Sequence, residues 1–153
     1  AVDVDVHGVT VTIKRDRVDL VDGGGEVVID YKENAPSLSG WNSETMHEPQ
    51  VPIGALTRDS ANKVTGVALG ALNRDKAALS GFVSHKGDET VLREIAPQDM
   101  DDMKEGWNEA LKEISGKILA GSVAIDPIDQ NKACNTCELK AVCRNGLKSS
   151  IAA

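Results

Sequence analysis

The chain has 153 residues, 41% of them hydrophobic and 27% charged, and its 17 Lys and Arg against 24 Asp and Glu leave a formal net charge of −7. That composition excludes a chain disordered throughout and suits a single globular core, and no apolar run approaches the roughly 20 residues of a membrane helix. The acidic balance argues against wrapping nucleic acid on a basic surface, although metal-binding carboxylates would add to the same count. All three cysteines fall between Cys134 and Cys143. An odd, clustered set is a poor disulfide framework and fits a metal or cluster site in a reducing, cytoplasmic compartment.

Val2 to Val6 and Val9 to Ile13 alternate apolar with polar residues, which predicts two half-buried strands joined at His7-Gly8. Val18, Leu20 and Val21 continue the pattern. Asp22-Gly23-Gly24-Gly25 predicts a turn, and Glu26 to Lys32 the returning strand of a hairpin. Asn34 to Pro49, with its Pro, Ser, Gly and Asn, reads as a loop. Val51 to Asn62 predicts a helix with Pro52 in its first turn, followed by strands over Val64 to Leu72 and Ala78 to Ser84. Pro97 to Ala120 is the clearest helix: Met103, Trp107, Leu111, Ile114 and Ile118 make one apolar stripe, and Gly121 supplies a stop. This order predicts an α/β layer fold with a mixed sheet flanked by helices. It forms one domain, a core over residues 1–125 followed by an irregular Cys-bearing tail over 126–153.

Candidate chemistry sits on the glycine-turn hairpin. Asp30 and Lys32 are two residues apart on a strand and share a face, with Ile29 and Tyr31 on the other. Asp16 lies across the turn, so the hairpin brings two carboxylates together. Two such oxygens suit Mg²⁺ (or Mn²⁺), which takes few protein ligands and keeps several waters. The Tyr31 carbonyl could supply a third oxygen. Taken alone, Asp-x-Lys is weak evidence for a metal site and describes a solvated ion pair better. Lys14, Arg15, Arg17 and Lys32 form the one local concentration of positive charge, a phosphate-backbone contact or simply a solvated strand face.

The longer string "RDRVDLVDGGGEVVIDYK", Arg15 to Lys32, resembles the catalytic hairpin of RecB-family nucleases of the PD-(D/E)XK superfamily, with its pattern G-x-I-D-R-[IV]-D, a glycine turn and V-[IV]-D-Y-K. "EPQVPIGAL", Glu48 to Leu56, is similar to the family's Q-x-P-[LI]-Y-A-L segment. Trp107 to Arg144 resembles the end of AddB-type nuclease domains: a Trp-bearing helix, then C-x2-C-x5-C followed by Arg. The resemblance implies a restriction-endonuclease-like fold, with Asp16, Asp30 and the Tyr31 carbonyl as metal ligands. It implies that Lys32 positions the attacking water or stabilises charge on the phosphate, and that Gln50 lines the site. Asp19 should face away and pair with Arg17 or cap the turn.

Gly54 stands where the family pattern has a tyrosine, and Ile13 where it has a glycine. The family's upstream helix, which completes the metal site, is expected to lie before Ala1, and His7 is the one nearby substitute. In AddB-type proteins the C-x2-C-x5-C thiolates join a distant fourth Cys around a [4Fe–4S] cluster. Cys134, Cys137 and Cys143 match those three, and the fourth is missing here, so the cluster is expected in the intact protein and stays open for this chain. Zinc bound by three Cys and one of His7, His47 or His85 is an alternative, as are three unligated thiols.

These features lead to the expectation of a metal-dependent DNA nuclease. An exonuclease is expected, a C-terminal piece of a longer protein that works with a helicase subunit or domain in double-strand-break repair and recombination, away from any membrane. The rival readings are a stand-alone RecB-like exonuclease of CRISPR spacer acquisition and a catalytically inactive nuclease fold kept for DNA binding or subunit docking.

Overall fold

The structure, a computed structural model, describes residues 1–22, 24–33, 38–41, 46, 48–72, 77–84, 92–122, 134–135 and 137–143. The chain divides into two compact units, residues 1–120 and 121–153.

The first unit opens with an antiparallel pair, β1 (Val2–Val6) and β2 (Val9–Ile13). Their two-residue connection holds His7 at φ 50° and Gly8 at φ 86°. Two successive left-handed residues give a turn whose twist matches that of the strands it joins. The Asp5 carboxylate secures it by accepting the Gly8 N–H at 3.2 Å.

A five-stranded mixed sheet follows in the order β3-β4-β5-β6-β7. β3 (Arg17–Val21) and β4 (Gly25–Lys32) form the predicted glycine-turn hairpin, with Gly24 at φ 88° donating its N–H to the Val21 carbonyl at 3.1 Å. β4 runs parallel to β5 (Lys63–Leu72), and the crossover between them carries α1 (Gln50–Leu56). β6 (Ala77–Val83) returns antiparallel to β5. A two-residue edge strand, β7 (Arg93–Glu94), has too little alternating pattern to be visible in the sequence. The loop read between Asn34 and Pro49 contains a 3₁₀ turn over Leu38–Trp41; the rest of it is described only at residues 46 and 48–49.

Helix α1 is shorter than the span Val51 to Asn62 expected of it. At its end the Thr57 hydroxyl donates to the Ile53 carbonyl at 2.6 Å, and Arg58 and Ser60 turn away to bind Glu26. A buried carboxylate in need of donors outcompetes a further helical turn.

Val28, Val67 and Phe82 stand side by side across β4, β5 and β6 and face the helices. Against them pack α1, α2 (Pro97–Leu119) and the β1–β2 pair. Trp107 and Trp41 are 1% and 2% exposed, edge to face at 6.1 Å, and the Trp107 indole donates to the Trp41 carbonyl at 2.9 Å. Both tryptophans are thus core residues. Of the predicted stripe on α2, Trp107 and Leu111 are buried and Met103 and Ile114 half-buried, whereas Ile118 is 57% exposed. Met100 and Ser115 complete the buried face, and the Ser115 hydroxyl donates to the Val6 carbonyl at 2.9 Å. The opposite sheet face is a smaller cluster of Val27, Ile29, Ala68 and Val83.

In the second unit the described residues include a single helical turn, α3 (Lys140–Cys143). Among the described residues no helix is long and apolar enough to cross a membrane.

Candidate active site

Strand alternation sets the chemistry of β4. Glu26, Val28, Asp30 and Lys32 share the face under α1, while Val27, Ile29 and Tyr31 take the other. Asp30 and Lys32 lie at the carboxyl end of the strand, where the chain departs toward α1. In α/β sheets this is the end at which ligands bind.

Asp30 is 4% exposed, which sets it apart from a solvated surface carboxylate. Its Oδ2 lies 2.9 Å from Lys32 Nζ yet makes no well-directed hydrogen bond among the described residues. Burial pushes the Asp30 carboxyl up from its ordinary value; the adjacent Asp16 carboxylate pushes the same way, and the Lys32 ammonium only partly opposes them. Lys32 itself is held above its usual range, chiefly by the Asp30 carboxylate beside it.

Two further acceptors surround the ammonium. Lys32 Nζ donates to Gln50 Oε1 at 2.8 Å, and Glu48 Oε2 lies 3.6 Å away. Gln50 thus takes a hydrogen bond from the ammonium, and the Asp30 and Glu48 carboxylates flank it as ion-pair partners. Gln50 is the first residue of α1, so the helix start delivers it to the end of β4.

Asp16 is exposed and sits just before β3. Its Oδ2 accepts the Tyr31 backbone N–H at 3.1 Å, which holds it beside Asp30. The structure therefore brings Asp16, Asp30, Lys32 and Gln50 together. Tyr31 enters through its amide; its side chain lies on the far face, where the hydroxyl meets Arg17 Nη1 at 3.2 Å. Asp19 pairs with Arg17 at 2.6 Å.

Arg15, Arg17 and Lys32 do not share one face. Arg17 is opposite Ile29 and so faces away from Asp30 and Lys32, and Arg15 folds onto α1. A run of charges close in sequence is split by strand alternation and by one turn of backbone. His7 is also elsewhere, its Nε2 3.1 Å from the Asn108 amide oxygen on α2.

Glu48 carries no motif signal beyond its place just before Pro49-Gln50. Its φ of 55° is left-handed, a conformation that costs a residue with a Cβ on the order of 1 kcal/mol and persists where the surroundings hold it.

Cys134, Cys137 and Cys143 are half-buried free thiols, and Cys137 Sγ accepts the Leu139 N–H at 3.3 Å. His47, His85 and Arg144 lie outside the described residues. Among the described residues no three or more His, Cys, Asp or Glu side chains gather as a metal site. Protein ligation at Asp30 would rest on two carboxylates, a hard-oxygen set that suits Mg²⁺ or Mn²⁺ and leaves positions for water. A buried carboxylate oxygen without a well-directed donor is the kind of ligand such an ion would satisfy.

A profile of the PD-(D/E)XK nuclease superfamily matches residues 1–144. No curated protein and no solved structure matches the chain significantly. A mixed sheet flanked by helices agrees with the restriction-endonuclease-like architecture. By sequence and by architecture, the chain belongs to the PD-(D/E)XK nuclease superfamily.

Proposed function

We propose that this chain is a metal-dependent deoxyribonuclease that hydrolyses phosphodiester bonds at the carboxyl end of β4. The observation that carries this reading is Asp30, a 4%-exposed carboxylate with Lys32 at 2.9 Å and Asp16 beside it. Asp16 and Asp30 would hold Mg²⁺ or Mn²⁺, with the Tyr31 carbonyl as a further oxygen. When bound, the ion supplies a lowered water pKa and neutralises phosphate charge. Lys32 presents its ammonium to the attacking water or to a phosphate oxygen, and Gln50 holds that ammonium in place from α1. A preorganised charge of this kind needs no rearrangement as negative charge builds.

The finer reading is an AddB-like, RecB-family exonuclease domain of a cytoplasmic helicase-nuclease acting in double-strand-break repair and recombination, with DNA and a helicase subunit or domain as partners. The sequence string from Arg15 to Lys32 and the C-x2-C-x5-C spacing support it.

Linear single- and double-stranded DNA incubated with Mg²⁺ or Mn²⁺ should be cut, and chelation should stop the cutting. Shortening from an end rather than internal nicking would favour the exonuclease. No cleavage with either ion, by this chain and by a longer one that restores the upstream helix and the fourth Cys, would leave the inactive docking module as the better reading.

The cysteines are read as three ligands of a [4Fe–4S] cluster in the intact protein. With the fourth thiolate supplied and oxygen excluded, iron and acid-labile sulfide are expected in equal amounts, lost in Cys137→Ser. Background iron in that preparation would remove the cluster.

A further inference from the structure

Arg15 immediately precedes Asp16 and turns onto α1. Its Nε donates to the Gly54 carbonyl at 2.8 Å and its Nη2 to the Thr57 hydroxyl at 3.0 Å. Arg15 is half-buried, with its guanidinium held by two acceptors of one helix end, a placement unlike that of a solvated surface arginine.

Gly54 is its neighbour on α1. A Cβ there would lie 3.7 Å from both Cγ and Nε of Arg15 and 3.6 Å from Val28 Cγ1. A Cβ would therefore rest in ordinary contact with Arg15 and Val28. Position 54 is also where the resembled motif has tyrosine, and here Arg15 lies against that position.

Each end of this contact is one step from the site. On one side is Asp16, bonded to the Tyr31 amide. On the other is α1, whose first residue Gln50 sits one turn before Gly54 and bonds Lys32. We propose that Arg15 is a positioning residue of the nuclease site, clamping the segment that carries Asp16 to the helix that carries Gln50. This rests on the nuclease assignment above for its catalytic consequence, but not for the clamp itself.

The test compares wild type with Arg15→Ala and Arg15→Lys in three measurements: hydrogen exchange of the Tyr31 amide against that of the Val67 amide in the central strand, thermal midpoint, and steady-state DNA cleavage. In Arg15→Ala the Tyr31 amide should exchange about 10-fold faster while Val67 stays unchanged, because Asp16 is freed locally. kcat should fall by roughly 10- to 100-fold with KM nearly constant, as expected when reacting groups are slightly misplaced. Arg15→Lys, which can keep the Gly54 bond but not the second, should fall between, and it carries the comparison should Arg15→Ala not fold.

An unchanged Tyr31 amide, or equal acceleration of Tyr31 and Val67, would overturn the proposal and leave Arg15 as an ordinary helix cap. If neither the wild type nor the longer chain cuts DNA with either metal ion, the nuclease assignment fails, and the amide exchange alone still decides whether Arg15 positions Asp16.

Discussion

Replacing Asp30 by Asn is expected to reduce metal-dependent DNA cleavage by a factor on the order of 10³ or more while leaving the fold about as stable as before. Asn keeps the shape of the side chain and removes the charge. Because Asp30 is 4% exposed and burial disfavours its ionised form, losing that charge relieves a desolvation cost. The variant loses the 2.9 Å ion pair, but Lys32 is 27% exposed and keeps Gln50 at 2.8 Å. The two effects oppose one another, and a net change within about 1 kcal/mol is expected.

Lys32→Ala should abolish cleavage to a similar degree but at a stability cost, because it strands the buried carboxylate without its counter-charge. Cleavage assays and thermal melts on both variants provide the check. An active Asp30→Asn protein would remove this residue from the site. An inactive one that also melts much earlier would mark the pair as mainly structural.

Glu26→Gln is expected to be the converse, a variant damaged in stability rather than chemistry. Glu26 is 3% exposed, and its carboxylate accepts from Arg58 Nε at 2.7 Å, Arg58 Nη2 at 3.3 Å and the Ser60 hydroxyl at 2.6 Å. Those bonds, from Arg58 first and Ser60 next, lower its carboxyl from 4.5 to about 2. The substitution should cost about 2 kcal/mol, the range for hydrogen bonds to a charged group, since Arg58 is 31% exposed and regains some solvent.

The pH dependence has a definite sign. A depressed carboxyl stabilises the fold above its unfolded value, and that contribution is lost as pH falls through the folded value. Denaturant unfolding of the wild type should therefore weaken between about pH 4.5 and pH 2, and Glu26→Gln should show a shallower decline across that window. Identical slopes would mean that Glu26 does not hold its charge against Arg58. At pH 7 and well below the melting temperature, cleavage by Glu26→Gln should match the wild type, because Glu26 sits at the opposite end of β4 from Asp30 and Lys32.

The β1–β2 and β3–β4 pairs were legible because alternation and turn chemistry act over a few neighbouring residues. His7-Gly8 and the glycine turn needed no tertiary help to be read. The meeting of Asp16 and Asp30 followed from the hairpin, and the shared face of Asp30 and Lys32 from strand period. Gln50 was singled out only through the family resemblance, since nothing local connects it to Lys32.

Other features were hidden for physical reasons. Arg15 and Arg17 looked equivalent, but one turns onto a helix far along the chain and the other to the opposite face. Glu26 looked like any polar residue beginning a strand until Arg58 and Ser60 arrived to neutralise it. Glu48, itself left-handed at φ 55°, comes within 3.6 Å of Lys32 from a segment 16 residues further along the chain.

By itself, the sequence determined the strand and helix pattern, the hairpin that pairs two carboxylates and the family to which the chain belongs. Those are properties of short-range periodicity, turn residues and motif spacing. The tertiary structure decided which charges are buried, which are paired and which merely lie near one another along the chain. Burial and pairing depend on segments tens of residues apart meeting across the sheet, and the free energy of a charge is set by the surroundings those segments create.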